Sequence, residues 1–378
     1  MSWPNVSTMS SRVEFVALAG VEGANIRALC RRFGISPKTG YKWIRRAQAG
    51  GAEALADRSR RPTQSPAKTP AEIEQAVLDV RQEHPTWGGR KLRRRLQDLE
   101  HTNVPSASTI TAVLRRHERL GPTAGAPRAF TRFEAEAPNR LWQMDFKGHF
   151  ATGTVRCHPL TVLDDHSRFA LALRACAHEQ EVTVRDALVA VFRVYGLPDR
   201  VLCDNGSPWG TSGSDERHTG LSVWLLRLGV GMCHGRPYHP QTQGKDERFH
   251  RTLKVEVLQG HTFRDLAHCQ TRFDAWREVY NTQRPHERLG LSVPGSRYRV
   301  SARAYPEQLP ELEYGTGDAV RKVQKDGMIG FGGRWWKMGK AFIGQRVGVR
   351  PTATDGVYGV YFGTISIAEI DQRVGSGS

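Results

Sequence analysis

The stretch HPQTQGKDERFHRTLKVEVL, residues 239–258, decides how the rest of the chain is interpreted. Gly244 ends a loop, and the pattern that follows is helical. At about 100° per residue, Phe249 and Leu253 share one face. The opposite face carries one carboxylate and three basic or titratable groups: Glu247, His250, Arg251 and Lys254. Such a helix either forms one wall of a functional site or is a surface helix whose carboxylate pairs with Arg251.

The net charge points to a polyanionic partner. The chain has 378 residues, enough for two or more domains, and carries a formal charge of +17. Residues 1–130 hold 22 Lys and Arg against 11 Asp and Glu, so +11 of that charge lies in the first third. This asymmetry predicts a basic nucleic-acid-binding region attached to a less basic body.

The cysteines and the hydropathy pattern indicate the compartment. The six cysteines include no C-x-x-C pair, and the histidines and cysteines lack zinc-finger spacing. The pattern has no signal peptide and no apolar run long enough to cross a bilayer. We therefore expect a reduced, cytoplasmic protein without zinc or a membrane partner.

Residues 1–56 have the pattern of a helix-turn-helix domain. Helices are predicted over residues 11–19 and 25–33, and a third begins at the cap Ser36 with Pro37 in its first turn. The alternative is an ordinary three-helix bundle with a basic face. In the helix-turn-helix interpretation, the third helix lies in a major groove. Its candidate DNA contacts are Lys38, Thr39, Tyr41, Lys42, Arg45 and Arg46.

A basic linker and a second helical domain follow. The linker, residues 57–69, offers Arg58, Arg60 and Arg61 to phosphates or a minor groove, although it could be merely solvated. Residues 70–121 predict a second helix-turn-helix domain, which could instead bridge to the catalytic body or to another subunit. Its candidate DNA contacts are Ser108, Thr109, Arg115 and Arg116.

After a linker over residues 122–137, residues 138–292 alternate between strands and helices. In LWQMDFKGHF, residues 141–150, Asp145 lies on one face of a strand whose other face is apolar. Another short apolar strand runs directly into Asp204. The order of elements predicts an α/β mixed sheet with helices packed on it. Residues 293–316 read as a linker, residues 317–373 as a small β-barrel and residues 374–378 as a flexible tail.

Three carboxylates on rigid elements suit hard divalent cations. Asp145 lies within a strand, Asp204 at a strand end and Glu247 in the first turn of a helix. Mg²⁺ binds oxygen and shares its coordination positions with phosphate. Two such ions about 3.5–4 Å apart can activate an attacking oxygen and stabilise a leaving one. If the three carboxylates converge, the chemistry is phosphodiester transfer.

The segments LWQMDF, LCDNGSPW and PYHPQTQGKDERFHRTLK closely resemble the Asp-Asp-Glu (DDE) motif of transposases and retroviral integrases. The wider pattern is similar to bacterial insertion-sequence transposases with an integrase-type core. That pattern includes the tandem helix-turn-helix domains, HPTWGGRKL, LDDHSR, YNTQRPHERLG and DGMIGFGGRWWKMG. The resemblance covers nearly the whole chain and implies a ribonuclease-H-like catalytic core.

The resemblance also implies roles for residues. Asp145, Asp204 and Glu247 would hold two Mg²⁺ ions, for which Mn²⁺ could substitute, and His250, Arg251 and Lys254 would lie along the DNA end. The implied function is binding of terminal inverted repeats, 3′-end cleavage and strand transfer. It implies double-stranded DNA as partner, a homo-oligomer (a dimer or larger) that holds two ends, and a bacterial, nucleoid-associated location.

The sequence departs from the compact family pattern between Asp204 and Glu247, where 42 residues include the polar stretch Gly210–Gly220, which is interpreted as an inserted loop. Asp164 and Asp165 also compete as ligands, but a turn position favours aspartate for its own hydrogen bonds. His239, Gln243 and His250 could orient water or a DNA end, or make structural hydrogen bonds. Two other functions remain open: a metal-dependent nuclease without strand transfer, and a DNA-binding repressor.

Overall fold

The computed structural model describes residues 8–57, 68–120, 134–210, 218–234 and 244–373, in two units, 1–68 and 69–378. Several predicted features lie outside the described residues. The individual residues are Arg58, Arg60, Arg61, His239 and Gln243. The segments are the tail from residue 374, most of the stretch 210–220, and most of the predicted linkers 57–69 and 122–137.

The first unit is a helix-turn-helix, as the sequence predicts. Its helices are α1 (Thr8–Ala19), α2 (Ile26–Arg32) and α3 (Pro37–Gly50). The Ser36 hydroxyl accepts a hydrogen bond from the Thr39 amide at 3.2 Å, so the predicted cap starts α3. A small core of Phe15, Cys30, Trp43 and Leu55 joins the helices.

Three helices open the second unit: α4 (Ala71–Glu83), α5 (Gly89–Asp98) and α6 (Ala107–Arg116). Together they form the α4–α6 bundle. Its core includes the fully buried Trp87 and Leu92, and Val279 of the neighbouring domain packs against it. The bundle therefore contacts the α/β part of the chain directly, which was one of the alternatives for this region.

A mixed sheet forms the centre of the second unit. Its strands have the order β2-β3-β1-β5-β6, with β4 paired to β3; β1 is antiparallel to β3 and parallel to β5. The strand bounds are β1 (Trp142–Phe146), β2 (Phe150–Ala151), β3 (Arg156–Asp164), β4 (Ala170–Cys176), β5 (Arg200–Cys203) and β6 (Gly231–His234).

Helices cover both faces of the sheet. On one face Trp142 packs among the apolar side chains of α7 (Glu181–Tyr195) and α8 (Gly220–Arg227). On the other, Leu163 packs among those of α9 (Gly244–Leu253) and α10 (Leu266–Thr282). A π-helical turn, Lys254–Leu258, continues α9. This layered α/β arrangement is the predicted fold class for the core.

Helix α8 and strand β6 were not predicted from the sequence. Between Asp204 and Glu247, the stretch Gly210–Gly220 was interpreted as an inserted loop. Described structure resumes at residue 218, and Thr219 caps α8 through reciprocal side-chain bonds with Ser222. This capping box and the apolar run that follows it were available signals. The helix places Val223 and Leu226 against the C-terminal region.

The C-terminal strands do not close into the predicted small barrel. Four of them form a sheet with the order β12-β11-β10-β7, and β8 and β9 form a separate hairpin. Within residues 319–371, all of which are described, no pairing joins β12 back to β7. The strands are β7 (Ala319–Lys322), β8 (Met328–Phe331), β9 (Arg334–Lys337), β10 (Arg346–Pro351), β11 (Val357–Phe362) and β12 (Ile365–Asp371).

Among the described helices, none combines the length and the apolar character that a membrane span requires.

Candidate active site

Two of the predicted carboxylates lie at neighbouring strand ends. In the parallel pairing of β1 with β5, Gln143 lies opposite Leu202. Continuing this register by two residues brings Asp145 opposite Asp204, which directly follows β5. The carboxyl ends of parallel strands share one edge of a sheet, and ligands bind outside that edge in open α/β folds. The topology thus brings Asp145 and Asp204 together.

Asp145 is in an environment that opposes its negative charge. Burial and the nearby charge of Asp204 raise the pKa of Asp145 to about 7. The backbone carbonyl of Asp145 accepts a hydrogen bond from the Thr161 hydroxyl at 2.9 Å. A carboxyl held near another carboxylate needs a proton or a cation close by. This is the electrostatic condition of a cation-binding site.

Asp204 is held by backbone geometry at the end of β5. Its Oδ1 accepts a hydrogen bond from the Gly206 amide at 3.0 Å, and its carbonyl accepts one from His234 Nδ1 at 2.8 Å. Asn205 and Gly206 therefore form a tight turn that holds the Asp204 carboxylate at the end of β5. The DNG sequence explains this turn, since Asn and Gly both favour turns.

Glu247, the third predicted carboxylate, faces solvent. Its side chain is 69 % exposed and pairs with Arg251 at 3.2 Å, one helical turn away. Exposed pairs of this kind contribute little stability. Helix α9 nevertheless packs against β1, the strand that carries Asp145. The structure therefore brings the helix of Glu247 to the site, while its carboxylate remains on the outer face.

His250 lies inside this interface rather than on an open DNA-facing surface. Its Nε2 lies 2.9 Å from the Thr161 hydroxyl, and its Nδ1 lies 3.9 Å from Asp145 Oδ2. Burial and the charge of Lys147 lower the pKa of His250 to about 4, so the ring is neutral near pH 7. Because Thr161 also bonds the Asp145 carbonyl, His250 supports the strand that presents Asp145.

Two lysines lie beside the site. Burial and then the charge of Lys254 lower the pKa of Lys147, so the two ammonium groups are neighbours. Lys147 follows β1 by one residue, and Lys254 begins the π-helical turn after α9. Lys254 was predicted from its position two helical turns after Glu247. Lys147 was not predicted as a site residue, although it follows Asp145 by two residues.

Asp246 is a further carboxylate that the sequence analysis did not single out. It is 1 % exposed, and within the described ranges neither of its carboxylate oxygens has a hydrogen-bond partner. Burial, followed by the charges of Asp145 and Asp165, raises the pKa of Asp246 well above its usual value. Helical spacing could have found it, since Asp246 shares the buried face of Phe249 and Leu253.

Asp164 and Asp165 have structural partners. Asp164 accepts hydrogen bonds from the Asn139 and Ser167 amides, each at 2.7 Å. Asp165 accepts one from the Ala135 amide at 2.7 Å and one from Gln143 Nε2 at 2.6 Å, and it also pairs with Lys245. Their oxygens are occupied in holding the turn and the start of the domain. This favours the structural interpretation of the pair.

The candidate DNA contacts of α3 form one surface. Gly40 and Trp43 are buried, whereas Lys38, Tyr41, Lys42 and Arg45 are exposed. A shallow open depression is lined by Lys38, Thr39, Lys42 and Arg45. Arg46 instead packs over the Trp43 ring, 5.0 Å from its centroid. Four of the candidate contacts, Lys38, Thr39, Lys42 and Arg45, therefore lie together on one basic face.

The candidate contacts of α6 divide into two groups. Ser108 and Thr109 are exposed at the start of the helix and hydrogen-bond to the cap Ser106. Arg115 is exposed near the end, but Arg116 forms a salt bridge with Glu74 at 2.8 Å. Arg116 thus has a partner inside the α4–α6 bundle.

The carboxylates fit a divalent cation by their chemistry. Asp145 and Asp246 offer carboxylate oxygens, and their negative charges repel each other. Among the described residues, neither Asp246 oxygen has a hydrogen-bond partner. Hard cations such as Mg²⁺ bind such groups and keep part of their water. Within the described part of the chain, no three acidic, histidine or cysteine side chains form a ready-made metal site. A cation would therefore draw the carboxylates together.

Models of known families match most of the chain. A helix-turn-helix domain matches residues 11–63, and a homeodomain-like domain matches residues 39–114. Two integrase core domain models match residues 135–240 and 228–294, and the C-terminal domain of IS481 family transposases matches residues 318–377. The chain has the domain composition of a bacterial insertion-sequence transposase with an integrase-like core.

Individual relatives agree with this composition. An uncharacterized 31.7 kDa protein of insertion element IS407 from Burkholderia multivorans is 30% identical over 47% of this chain and 62% of its own length. A putative transposase of element IS5376 from Geobacillus stearothermophilus is 26% identical over 55% of this chain and 52% of its own. The chain thus spans between half and two thirds of these relatives.

A solved structure, a chain of the simian T-cell lymphotropic virus intasome, matches 77% of this chain and 97% of that chain. The identity is 15% and the TM-score 0.37, a likeness too weak to bear on function.

Proposed function

We propose that this chain is a DDE transposase that binds the terminal inverted repeats of a mobile element, cleaves to free a 3′-OH and joins that end to target DNA. One observation carries the proposal. Asp145 and Asp204 meet at the carboxyl ends of the parallel strands β1 and β5, and α9, which bears Glu247, packs against β1. The family matches and the relative that is described as a putative transposase support the same function.

In this proposal Asp145, Asp204 and Glu247 hold two Mg²⁺ ions, with Mn²⁺ as a possible substitute. Bound divalent cations activate an attacking oxygen and stabilise a leaving one during in-line phosphoryl transfer. Glu247 would lose little stability by binding a cation in place of its exposed partner Arg251, because the pair is solvent-screened. His250 and Thr161 keep the backbone of Asp145 in place.

DNA recognition is assigned to separate surfaces. The basic face of α3 reads the terminal repeat in a major groove. Ser108, Thr109 and Arg115 of α6 offer a second contact, and Lys147, Arg251 and Lys254 guide the DNA end near the carboxylates. Arg58, Arg60 and Arg61 remain proposed phosphate contacts of the linker. Two ends must be held at once, so we propose a homo-oligomer, at least a dimer, that acts on DNA of the bacterial nucleoid.

The test is a joining assay with the full-length protein, a labelled terminal repeat and a plasmid target. The proposal expects Mg²⁺-dependent joining of the 3′-OH end, and loss of the product in Asp145→Asn. Cleavage without a joined product would favour the metal-dependent nuclease instead. Binding of the repeat with neither cleavage nor joining would contradict both enzymatic functions and favour a repressor.

A further inference from the structure

Asp246 is a buried acid, only 1 % exposed. Neither of its carboxylate oxygens has a hydrogen-bond partner among the residues that the structure describes. It lies in the first turn of α9, on the face that packs against the sheet together with Phe249 and Leu253. A buried charged group that lacks partners is among the most unfavourable arrangements in a protein interior. A buried carboxyl in such a position is stabilised either by a proton or by a cation close to it.

The neighbouring groups do not supply that partner. Asp145 and Asp165, whose charges act on Asp246, are both acidic. Lys245 is a nearby cation, but its ammonium group pairs with the carboxylate of Asp165 and also reaches the Asp165 carbonyl at 3.3 Å. Among these described neighbours of Asp246, negative charges outnumber positive charges.

Asp145 is the neighbouring carboxylate that can bind the same cation as Asp246. The oxygens of Asp165 are occupied by the Ala135 amide, Gln143 and Lys245. In the described part of the chain, the Asp145 carboxyl accepts a backbone hydrogen bond from Phe146, and its Oδ2 lies 3.9 Å from Nδ1 of His250. His250 follows Asp246 by about one turn of α9, so the two side chains occupy neighbouring positions on one face of the helix. An oxygen-liking divalent cation would neutralise Asp145 and Asp246 together.

We propose that Asp246 is an additional metal-holding carboxylate, which lends oxygen to a divalent cation bound by Asp145. This inference rests on the proposed function, because it concerns the same metal site. The proposed function assigns only the exposed Glu247 of α9 to the metal site. The present inference adds the buried Asp246 beside it. Glu247 then adds its ligand from the solvent side of α9.

The test is Mn²⁺ binding to the full-length protein without DNA, measured from the electron paramagnetic resonance signal of free Mn²⁺. The variants are Asp246→Asn, which keeps the side-chain shape, and Asp145→Asn. Asp274→Asn, an exposed acid on α10, is the matched control. Metal-free thermal unfolding and circular dichroism are recorded for each variant. Should Asp246→Asn fail to fold, Asp246→Val replaces it, since an apolar side chain suits a buried position.

The proposal expects Asp246→Asn to weaken Mn²⁺ binding at least tenfold while the metal-free Tm stays equal or rises. Asp274→Asn should bind Mn²⁺ as the wild type does. Unchanged Mn²⁺ affinity in Asp246→Asn, with loss in Asp145→Asn, would overturn this inference and leave the proposed function intact. Binding that does not depend on Asp145 would contradict the metal site of the proposed function and this inference with it.

Discussion

Glu256 and Arg284 form a buried salt bridge, with Arg284 Nη2 3.0 Å from Glu256 Oε1 and side chains only 11 % and 8 % exposed. The same carboxylate accepts hydrogen bonds from Trp276 Nε1 at 2.9 Å and from the Thr86 hydroxyl at 3.1 Å. Thr86 belongs to the turn between α4 and α5. One carboxylate on the π-helical turn therefore joins α9, α10 and the α4–α6 bundle.

Replacement of Glu256 by Gln should destabilise the second unit. It leaves the Arg284 guanidinium buried without its counter-charge, and breaking a buried pair costs about 3–5 kcal/mol of the free energy of unfolding. Urea unfolding of the full-length protein measures the loss. Glu307→Gln is the matched control, because the Glu307–Arg193 pair is exposed and its loss should leave the unfolding midpoint in place. Equal midpoints for both variants would show that Glu256 is not a structural junction.

His286 should make stability depend on pH. Burial and the neighbouring cations Arg284 and Lys91 lower the pKa of His286 well below its usual value of about 6.5. Below pH 6.5 His286 binds a proton in the unfolded chain but stays neutral in the folded protein. The free energy of unfolding therefore decreases as the pH falls below 6.5. His286→Gln should flatten the fall of Tm between pH 7 and 5. The exposed His261→Gln should keep the wild-type profile, and identical slopes for all three proteins would refute the prediction.

Gly40 should be essential to the packing of the first unit. A Cβ atom there would lie 2.5 Å from Cys30 Sγ and 2.9 Å from the Phe15 ring. Gly40→Ala should therefore lower the stability of this unit by about 1–3 kcal/mol through overpacking, despite the better helix propensity of alanine. Gly20→Ala is the control, since its Cβ would meet only ordinary contacts at 3.6 Å. Thermal unfolding followed by circular dichroism distinguishes the two, and a tolerated Gly40→Ala would contradict the packing.

Lys42 should contribute to end binding but not to chemistry. It is exposed on the basic face of α3, with its Nζ 4.7 Å from the centroid of the Trp43 ring. Removal of one phosphate contact reduces the slope of log K for DNA binding against log salt concentration by about one. Lys42→Ala should thus weaken gel-shift binding of the terminal repeat and leave metal-dependent cleavage of a pre-nicked end detectable. Unchanged affinity would argue against the first unit as the DNA reader.

Local patterns predicted most elements of the fold. Ser36 and Pro37 defined the start of α3, and the alternation around Asp145 identified β1, because caps and periodicity are properties of neighbouring residues. Barrel closure was not predictable in this way, since it depends on pairing between distant strands. The pairing of β7 with β10 joins residues that are well separated along the chain, whereas β8 and β9 form a local hairpin.

The candidate site was predictable to a similar degree. The motif resemblance gave Asp145 and Asp204, which the parallel register brings together. It could not give the inward position of His250, which depends on Thr161 some ninety residues earlier. Asp246 was missed for another reason: a charged residue beside Glu247 is normally expected at the surface, although Asp246 shares the helical face of the buried Phe249 and Leu253.

Asp145, Asp204 and Glu247 should act together in metal-dependent transfer of a DNA end. The most direct measurement is joining of a labelled 3′-OH terminal repeat to plasmid in Mg²⁺ by three single variants, Asp145→Asn, Asp204→Asn and Glu247→Gln. The exposed Glu278→Gln on α10 is the control. We expect each of the three variants to lose the joined product while still binding the repeat, and Glu278→Gln to retain it. Wild-type joining by any of the three would contradict a shared role of these carboxylates.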